Sequence, residues 1–361
     1  MAPVAPPVAR PRVLRILERL ARQPSVPFHE HGVSREAAAI AREGGAAVRR
    51  DQYGNLIVRR PGRRRGPPLW LVAHMDHPGF EAVRRDEAVF LGGVDPAYFR
   101  RGTKLRFYTR DGEVPAKIER ARTAKGSTRV RLAASQPLHP KDLGVWDVPD
   151  FRMTGGRVHA RQLDDLVGCA ISLACVERAA RRGANVQALL TRAEEVGLVG
   201  TTGAILAGRV PKSAWVVNVE ASRVVPGVTV GGGPVIRVGD RAKTFDLRAE
   251  NLLLAAQAHL PRTPVQRALM TGGVCEATAW TLFGYRATGV AIPLENYHNM
   301  GSGNRVRTES VSVRDLTGAV DLVDQAARHV PEGARWDARG RDRVLDLWRR
   351  HRERLQMTTD L

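Results

Sequence analysis

Five short segments of this chain each place a metal-type ligand where a strand is expected to end. They are Ala73-His74-Met75-Asp76, Leu163-Asp164-Asp165, Ala193-Glu194-Glu195-Val196-Gly197, Asn218-Val219-Glu220 and Asn296-Tyr297-His298-Asn299. Together they offer two imidazoles and three carboxylates for a pair of divalent ions, with one carboxylate to spare. That is the donor inventory of a two-metal hydrolase, in which two ions a few ångströms apart hold and activate one water.

Taken singly, the segments differ in weight. His74 follows Leu69-Trp70-Leu71-Val72-Ala73, and Asp76, two residues on, can turn back on the imidazole and fix its tautomer. A histidine and aspartate at that spacing are weak evidence alone. Asp164-Asp165 stands just before an apolar-periodic helix, where one Asp can serve as N-cap. For Asp164 by itself, cap and ligand stand even. A second adjacent acid with no basic partner in the first turn is harder to explain, and a carboxylate placed there can bridge two cations. Glu194-Glu195 is the sharpest signal. Two neighbouring carboxylates beside an apolar strand repel and cost desolvation unless a cation or proton compensates. One can bind metal while the other takes a proton from the activated water. Glu220 closes the apolar run Ser213 to Val219, and His298 follows Val290-Ala291-Ile292-Pro293. A lone histidine there is more often structural; the coincidence of five strand ends is what changes its reading.

Those residues need elements to carry them. Apolar residues at helical spacing predict helices over Val13–Gln23 and Ser34–Arg42, the second with Ser34 as N-cap. Strands are expected at Asn55–Arg59 and Leu69–Ala73. From about Phe80 to Val158 the texture changes to short alternating runs broken by Gly and Pro, which suggests a small inserted β-barrel or sandwich. Beyond it, helices are expected over Leu166–Ala180, Gly200–Ala207, Leu252–His259, Glu276–Phe283 and Ser312–His329. Strands are expected over Val186–Thr191, Ala214–Val219 and Gly289–Ile292. Such alternation implies an α/β class with a mostly parallel sheet covered on both faces, and ligands beyond the carboxyl ends of its strands. The expected organisation is a catalytic domain in two parts, 1–79 and 159–335, an insert over 80–158, and a charged C-terminal helix over 336–361. Val344, Leu347, Trp348 and Leu355 fall on one side of that helix, as for a packing or oligomer contact.

The 361 residues carry a formal net charge of +20. Such a charge raises the question of nucleic acid. The excess, however, is scattered arginine, with Lys only at 104, 117, 125, 141, 212 and 243. Its densest run, Arg63-Arg64-Arg65, lies between Pro61-Gly62 and Gly66-Pro67-Pro68 and reads as an exposed turn. Specific nucleic-acid binding is therefore not expected. No apolar run is long enough to span a membrane, and the start of the chain lacks the apolar core of a secretion signal. Cys169, Cys175 and Cys275 are too few and too irregular for a disulfide framework. A cytoplasmic location is the expectation.

Motif order and context make the chain resemble the tetrahedral (TET) and glutamyl aminopeptidase family, metallopeptidase family forty-two. More distantly it resembles the wider group of dizinc aminopeptidases and deacylases. The resemblance runs from the first helix to about His329. It rests on Asp51-Gln52-Tyr53-Gly54-Asn55-Leu56, on His74-Met75-Asp76 before Pro78-Gly79-Phe80, on Leu163-Asp164-Asp165 before Val167-Gly168-Cys169, and on Glu194-Glu195-Val196-Gly197-Leu198 before Gly200. It implies a three-layer αβα fold with two divalent ions, expected to be zinc, with cobalt or manganese as alternatives. Asp164 would bridge the ions, His74 and Glu220 would complete one ligand set, and Glu195 and His298 the other. Glu194 would act as general base and then acid, and Asp76 would orient His74. The resemblance also implies that the insert is a barrel-like dimerisation domain and that the chain builds large hollow oligomers.

Two departures stand out. The family usually has Asp where Glu220 stands, and relatives with Glu there include deacylases and dipeptidases. Its Gly-Gly-Thr-Asp stretch is here Thr271-Gly272-Gly273-Val274-Cys275-Glu276, which leaves open whether Glu276 stands in for that Asp. The leading expectation is an aminopeptidase acting on peptides. An N-acyl or other amide hydrolase with the same metals is the alternative, and a non-catalytic assembly or nucleic-acid-binding protein is a third reading. The full ligand set with Glu194 speaks against that third reading.

Overall fold

The computed structural model describes residues 11–60, 67–330 and 333–357. The Arg63-Arg64-Arg65 run lies outside them. An eight-stranded sheet forms the middle layer. Its order is Ala47–Arg50, Leu56–Arg59, Val186–Thr191, Leu69–His74, Trp215–Arg223, Arg286–Leu294, Val235–Asp240 and Gln266–Met270. The four strands from Val186–Thr191 to Arg286–Leu294 run parallel, and antiparallel neighbours flank them on both sides. These central strands read as continuous apolar runs because helices cover both faces of the sheet.

On one face the helices Arg12–Ala21, Leu166–Arg181, Leu247–Ala258 and Val313–His329 enclose the largest apolar core. On the other, Val199–Leu206 and Glu276–Leu282 cover Trp70, Val72 and Leu189. Leu166–Arg181 is apolar nearly all round because it is buried nearly all round. Of the adjacent acids before it, Asp165 is the N-cap, its Oδ1 accepting from Gly168 N at 3.0 Å. Asp164 is thereby free of that duty.

The expected elements recur with shifted ends. The second helix spans His31–Glu43 and begins three residues before the expected Ser34, which is buried inside it. The strand expected to stop at Val219 continues as Trp215–Arg223, so Glu220 lies within a strand. Strands Ala47–Arg50, Val235–Asp240 and Gln266–Met270 were not expected. They are short, carry charged residues, and lie toward the sheet edges.

Within the inserted stretch, six strands close a barrel in the order Gly79–Arg84, Glu87–Leu91, Ser127–Ala134, Gly112–Ala124, Lys104–Thr109 and Leu143–Trp146. Closure leaves no strand edge open to mispairing. Along Gly112–Ala124 the residues Val114, Ala116 and Ile118 point inward, in the two-residue period of a strand. The barrel centre is aromatic, with Phe80 edge-on to Phe90 and Trp146, each pair 4.9 Å between ring centroids. Gly144 is obligatory there, since a Cβ would come within 2.5 Å of the Phe107 ring. After Trp146 the chain leaves the barrel. Phe151–Thr154 and Arg157–Ala160 form a three-stranded sheet with Glu309–Ser312, just below the Asp164 and His298 segments.

The last helix, Gly333–Met357, leaves Val344, Leu347 and Trp348 exposed. The Leu355 side chain is outside the described residues.

Candidate metal centre

His74 is the last residue of its strand, and both ring nitrogens are assigned by their surroundings. Nδ1 lies 3.0 Å from the backbone carbonyl of Asp76. A carbonyl only accepts, so Nδ1 carries the proton and Nε2 presents its lone pair to the site. Nε2 lies 3.4 Å from Asp164 Oδ1 and 4.0 Å from Glu194 Oε2. His298 repeats the device. Its Nδ1 donates to the Gly93 carbonyl of the barrel at 2.6 Å, leaving Nε2 at 3.1 Å from Glu195 Oε1 and 3.6 Å from Asp164 Oδ2. Each Asp164 oxygen thus faces a different imidazole. Ligand atoms of His74, Asp164 and Glu195 lie within 4.8 Å of one another.

Glu194 and Glu195 are held by the backbone of their loop. Asp76 accepts from Glu194 N at 3.0 Å and from Glu195 N at 3.1 Å, one oxygen to each. Its carboxylate was expected to serve the His74 imidazole, but the nearer Asp76 group to Nδ1 is its carbonyl, with the carboxylate at 3.6 Å. Glu30 grips the same loop, accepting from Ala193 N at 3.0 Å and Arg192 Nε at 2.6 Å. Ala193 sits at φ 52°, and across the site Asn296, His298 and Asn299 sit at 53°, 54° and 64°. Left-handed backbone at non-glycine residues is costly and persists where surrounding contacts over-determine it. For His298 those contacts include Glu309, whose Oε1 accepts from His298 N at 2.8 Å while its Oε2 accepts from Leu163 N and Asp164 N.

The buried acids of this region fall into two kinds. Asp76, Glu276 and Glu309 have both oxygens matched by protein donors. For Glu276 these are the hydroxyls of Thr191 and Thr201 and the Asn218 amide; Asp165 is half matched, its Oδ1 accepting from both Gly168 N and Ala221 N and its Oδ2 from no donor among the described residues. Glu276 is therefore a strut beneath the sheet ends. The other kind is orphaned. Asp164 Oδ1, Glu195 Oε1, Glu220 Oε2 and His298 Nε2 are buried without a hydrogen-bond partner among the described residues. Among the described residues no Lys or Arg is paired with Asp164, Glu194 or Glu195, and Arg237 Nη1 meets Glu220 Oε1 at 3.4 Å. Buried lone pairs and charges of this sort are unfavourable without compensation. Two imidazoles and carboxylate oxygens are the donors that zinc, cobalt and manganese accept, so the residues fit divalent cations.

The ionisation of the bare chain follows from the same crowding. Burial raises Glu194 well above its ordinary range, with His74 opposing and Glu195 reinforcing, and burial raises Glu195 against the pull of His298. Burial pushes Glu220 up to about 7 despite Arg237. For Asp164 burial acts upward too, but His298 and His74 override it and hold the carboxyl low. Burial would lower both imidazoles, yet the facing carboxylates outweigh it and raise both well above their usual value. In the bare chain the two histidines would carry the charge that cations would otherwise supply.

All seven expected site residues thus lie in one region. His74, Asp76, Asp164, Glu194, Glu195 and His298 are linked by a chain of contacts of 4.0 Å or less, and Glu220 lies beside Arg237. Sequence reading missed the supports. His77 joins the Asp164 carbonyl, at 2.7 Å, to Asn299, at 3.1 Å, and burial followed by His298 lowers it to about 4. His77 and Asn299 adjoin recognised motifs and could have been flagged on that ground. Glu309 and Glu30 carry no local signal; only the fold brings them here.

Residues 133–322, just over half of the chain, match the family described as M42 glutamyl aminopeptidase. A protein from Acetivibrio thermocellus, named among the aminopeptidases, is 26% identical over 303 residues, 77% of this chain and 87% of its own. The TET1 peptidase of Pyrococcus horikoshii superposes with a TM-score of 0.73 at 20% identity, covering 87% of this chain and 99% of its own. An aminopeptidase from Desulfurococcus kamchatkensis gives 0.71 at 21%, covering 87% and 93%. The two solved structures share the fold. With the matched region holding Asp164, Glu194, Glu195, Glu220 and His298, the chain belongs to the metal-dependent M42 glutamyl aminopeptidase family and is a hydrolase of the aminopeptidase type.

Proposed function

We propose that the chain removes amino-terminal residues from peptides with two divalent cations, held by His74, Asp164 and Glu220 on one side and Asp164, Glu195 and His298 on the other. The observation that carries this reading is the set of orphaned buried acceptors at Asp164, Glu195, Glu220 and His298, beside Asp76, Glu276 and Glu309, whose oxygens all accept from protein donors. Bound divalent ions would supply Lewis acidity toward the scissile carbonyl and the attacking water.

The chain supplies the rest. Glu194 is the proton carrier. Its carboxylate is 4.0 Å from His74 Nε2 and keeps a little exposure, while its backbone is tied to Asp76. Glu194 Oε2 accepts a proton from the attacking water as the carbon–oxygen bond forms, then returns it to the departing amine nitrogen as the carbon–nitrogen bond breaks. Substrate enters by a cleft of about 540 Å³ between the barrel and the main sheet, lined by Asp95, Tyr98, Arg223 and Tyr297. Arg223 and Tyr297 also line a smaller recess beside Glu220.

The reading extends to assembly and location. The TET1 peptidase of Pyrococcus horikoshii is reported to form a tetrahedron or a large octahedral shell. By that likeness the present chain self-associates as dimers, through the barrel, and as larger hollow particles. Three buried free cysteines suit a reducing, cytoplasmic compartment.

The deciding assay offers aminoacyl anilides, short peptides and N-acyl amino acids to the protein loaded with zinc, cobalt or manganese. Hydrolysis of substrates with a free amino end, abolished by chelator and restored by metal, supports the reading. Turnover confined to N-acyl substrates would make it a deacylase, and no turnover with any metal would reject it.

A further inference from the structure

Arg237 lies on the strand Val235–Asp240, and its side chain is almost wholly buried. Nη1 donates to Ser222 Oγ at 2.9 Å and stands 3.4 Å from Glu220 Oε1, while Nε has no partner among the described residues. Room for it is built in: a Cβ on the neighbouring strand at Gly289 would come within 3.2 Å of the Arg237 side chain. An arginine in such a place carries a permanent charge. Burial keeps that charge poorly screened. It touches one member of the proposed ligand set and, among the described residues, is ion-paired with none of the others.

We infer that Arg237 is a fixed counter-cation that makes the two metal positions unequal, weakening the one completed by His74 and Glu220. This rests on the two-metal reading. A cation held by Glu220 must share that carboxylate with a guanidinium and lie close to a charge of its own sign. Among the described residues the position completed by Glu195 and His298 has no such neighbour. Unit charges about 5 Å apart in a protein interior repel strongly enough to shift a binding constant by tenfold or more. The chain therefore holds one ion firmly and exchanges the other, while the guanidinium keeps Glu220 ordered and paired when that ion leaves.

The test is zinc binding to the metal-stripped full chain, followed by competition with a chromophoric chelator and by equilibrium dialysis, with no turnover measurement. Wild type should bind two ions in separated steps. Arg237→Gln, which removes the charge and leaves a shorter polar amide, should tighten the weaker step by about tenfold or more and leave the stronger one in place. Arg237→Lys keeps the charge and should leave the two steps as far apart as in wild type. In a Glu220→Gln background, which loses the weaker step, Arg237→Gln should change nothing further. Two steps that are unmoved by Arg237→Gln, or moved equally by Gln and Lys, overturn the role of Arg237 while the two-metal reading stands. A wild type that binds no second ion, or a Glu220→Gln variant that binds both as well as wild type, overturns the two-metal reading itself.

Discussion

At the scale of single residues, what separates scaffold from reactive group is whether a buried polar atom has a protein partner. Asp76 and Glu309 lie as deep as Asp164, yet each spends both oxygens on backbone N–H groups, and Asp164 does not. Glu194 and Glu195 are neighbours in sequence with opposite assignments: Glu195 Oε1 faces His298 at 3.1 Å, and Glu194 Oε2 reaches toward His74 from farther off. Glu194→Gln keeps shape and removes basicity. Turnover should fall about a hundredfold or more, with both ions retained on elemental analysis. Near-normal turnover would remove Glu194 from the chemistry, and loss of an ion would mean that the two glutamates have exchanged roles. The pair was legible in sequence because adjacent carboxylates after an apolar strand need a reason. Glu309 was not, because its role depends on three backbone groups from two distant segments that only folding assembles.

At the scale of elements, the site depends on how closely the helix Leu166–Arg181 approaches the sheet. Gly168, in its first turn, touches both the cap and the strand of Glu220. A Cβ there would come within 2.0 Å of the Val219 carbonyl and 2.3 Å of Asp165 Oδ2. Gly168→Ala must push the helix away or break the cap. It should cost about 1–3 kcal/mol or more in denaturant unfolding and lower metal retention, since Asp164 moves with the cap. Unchanged stability would contradict the packing described. This helix and the strand Val186–Thr191 were readable within a residue or two, because unbroken apolar runs ended by acids, Gly or Pro have few other solutions. The strands Val235–Asp240 and Gln266–Met270 were not. Their polar residues, Arg237 among them, are accommodated by neighbours far away in sequence, such as Ser222 and Glu250. The second helix starts earlier than expected, with Glu30 at its N-cap: the Glu30 carbonyl accepts from Ser34 N, while its side chain is engaged with Arg192 and Ala193.

At the scale of the whole molecule, barrel and main domain form one working unit. The Gly93 carbonyl holds His298, and Tyr98 donates to the Gly301 carbonyl at 2.8 Å, so a segment expected to serve assembly also orders a proposed ligand. Light scattering on the full chain should give a multiple of its 39.6 kDa, and a monomer mass would contradict the assembly proposed for it. The change of texture after Phe80 made the insert visible in sequence, whereas its contact with His298 involves a backbone carbonyl and leaves no side-chain signature. The central claim is that five separated segments converge to hold two cations around Asp164. It is tested most directly by elemental analysis of the metal-loaded protein before and after dialysis against metal-free buffer containing a weak competitor, comparing wild type with Asp164→Ala. The account predicts two ions per chain in wild type before the competitor is added, and a clear loss in the variant under the same conditions. The same stoichiometry in both proteins would contradict it.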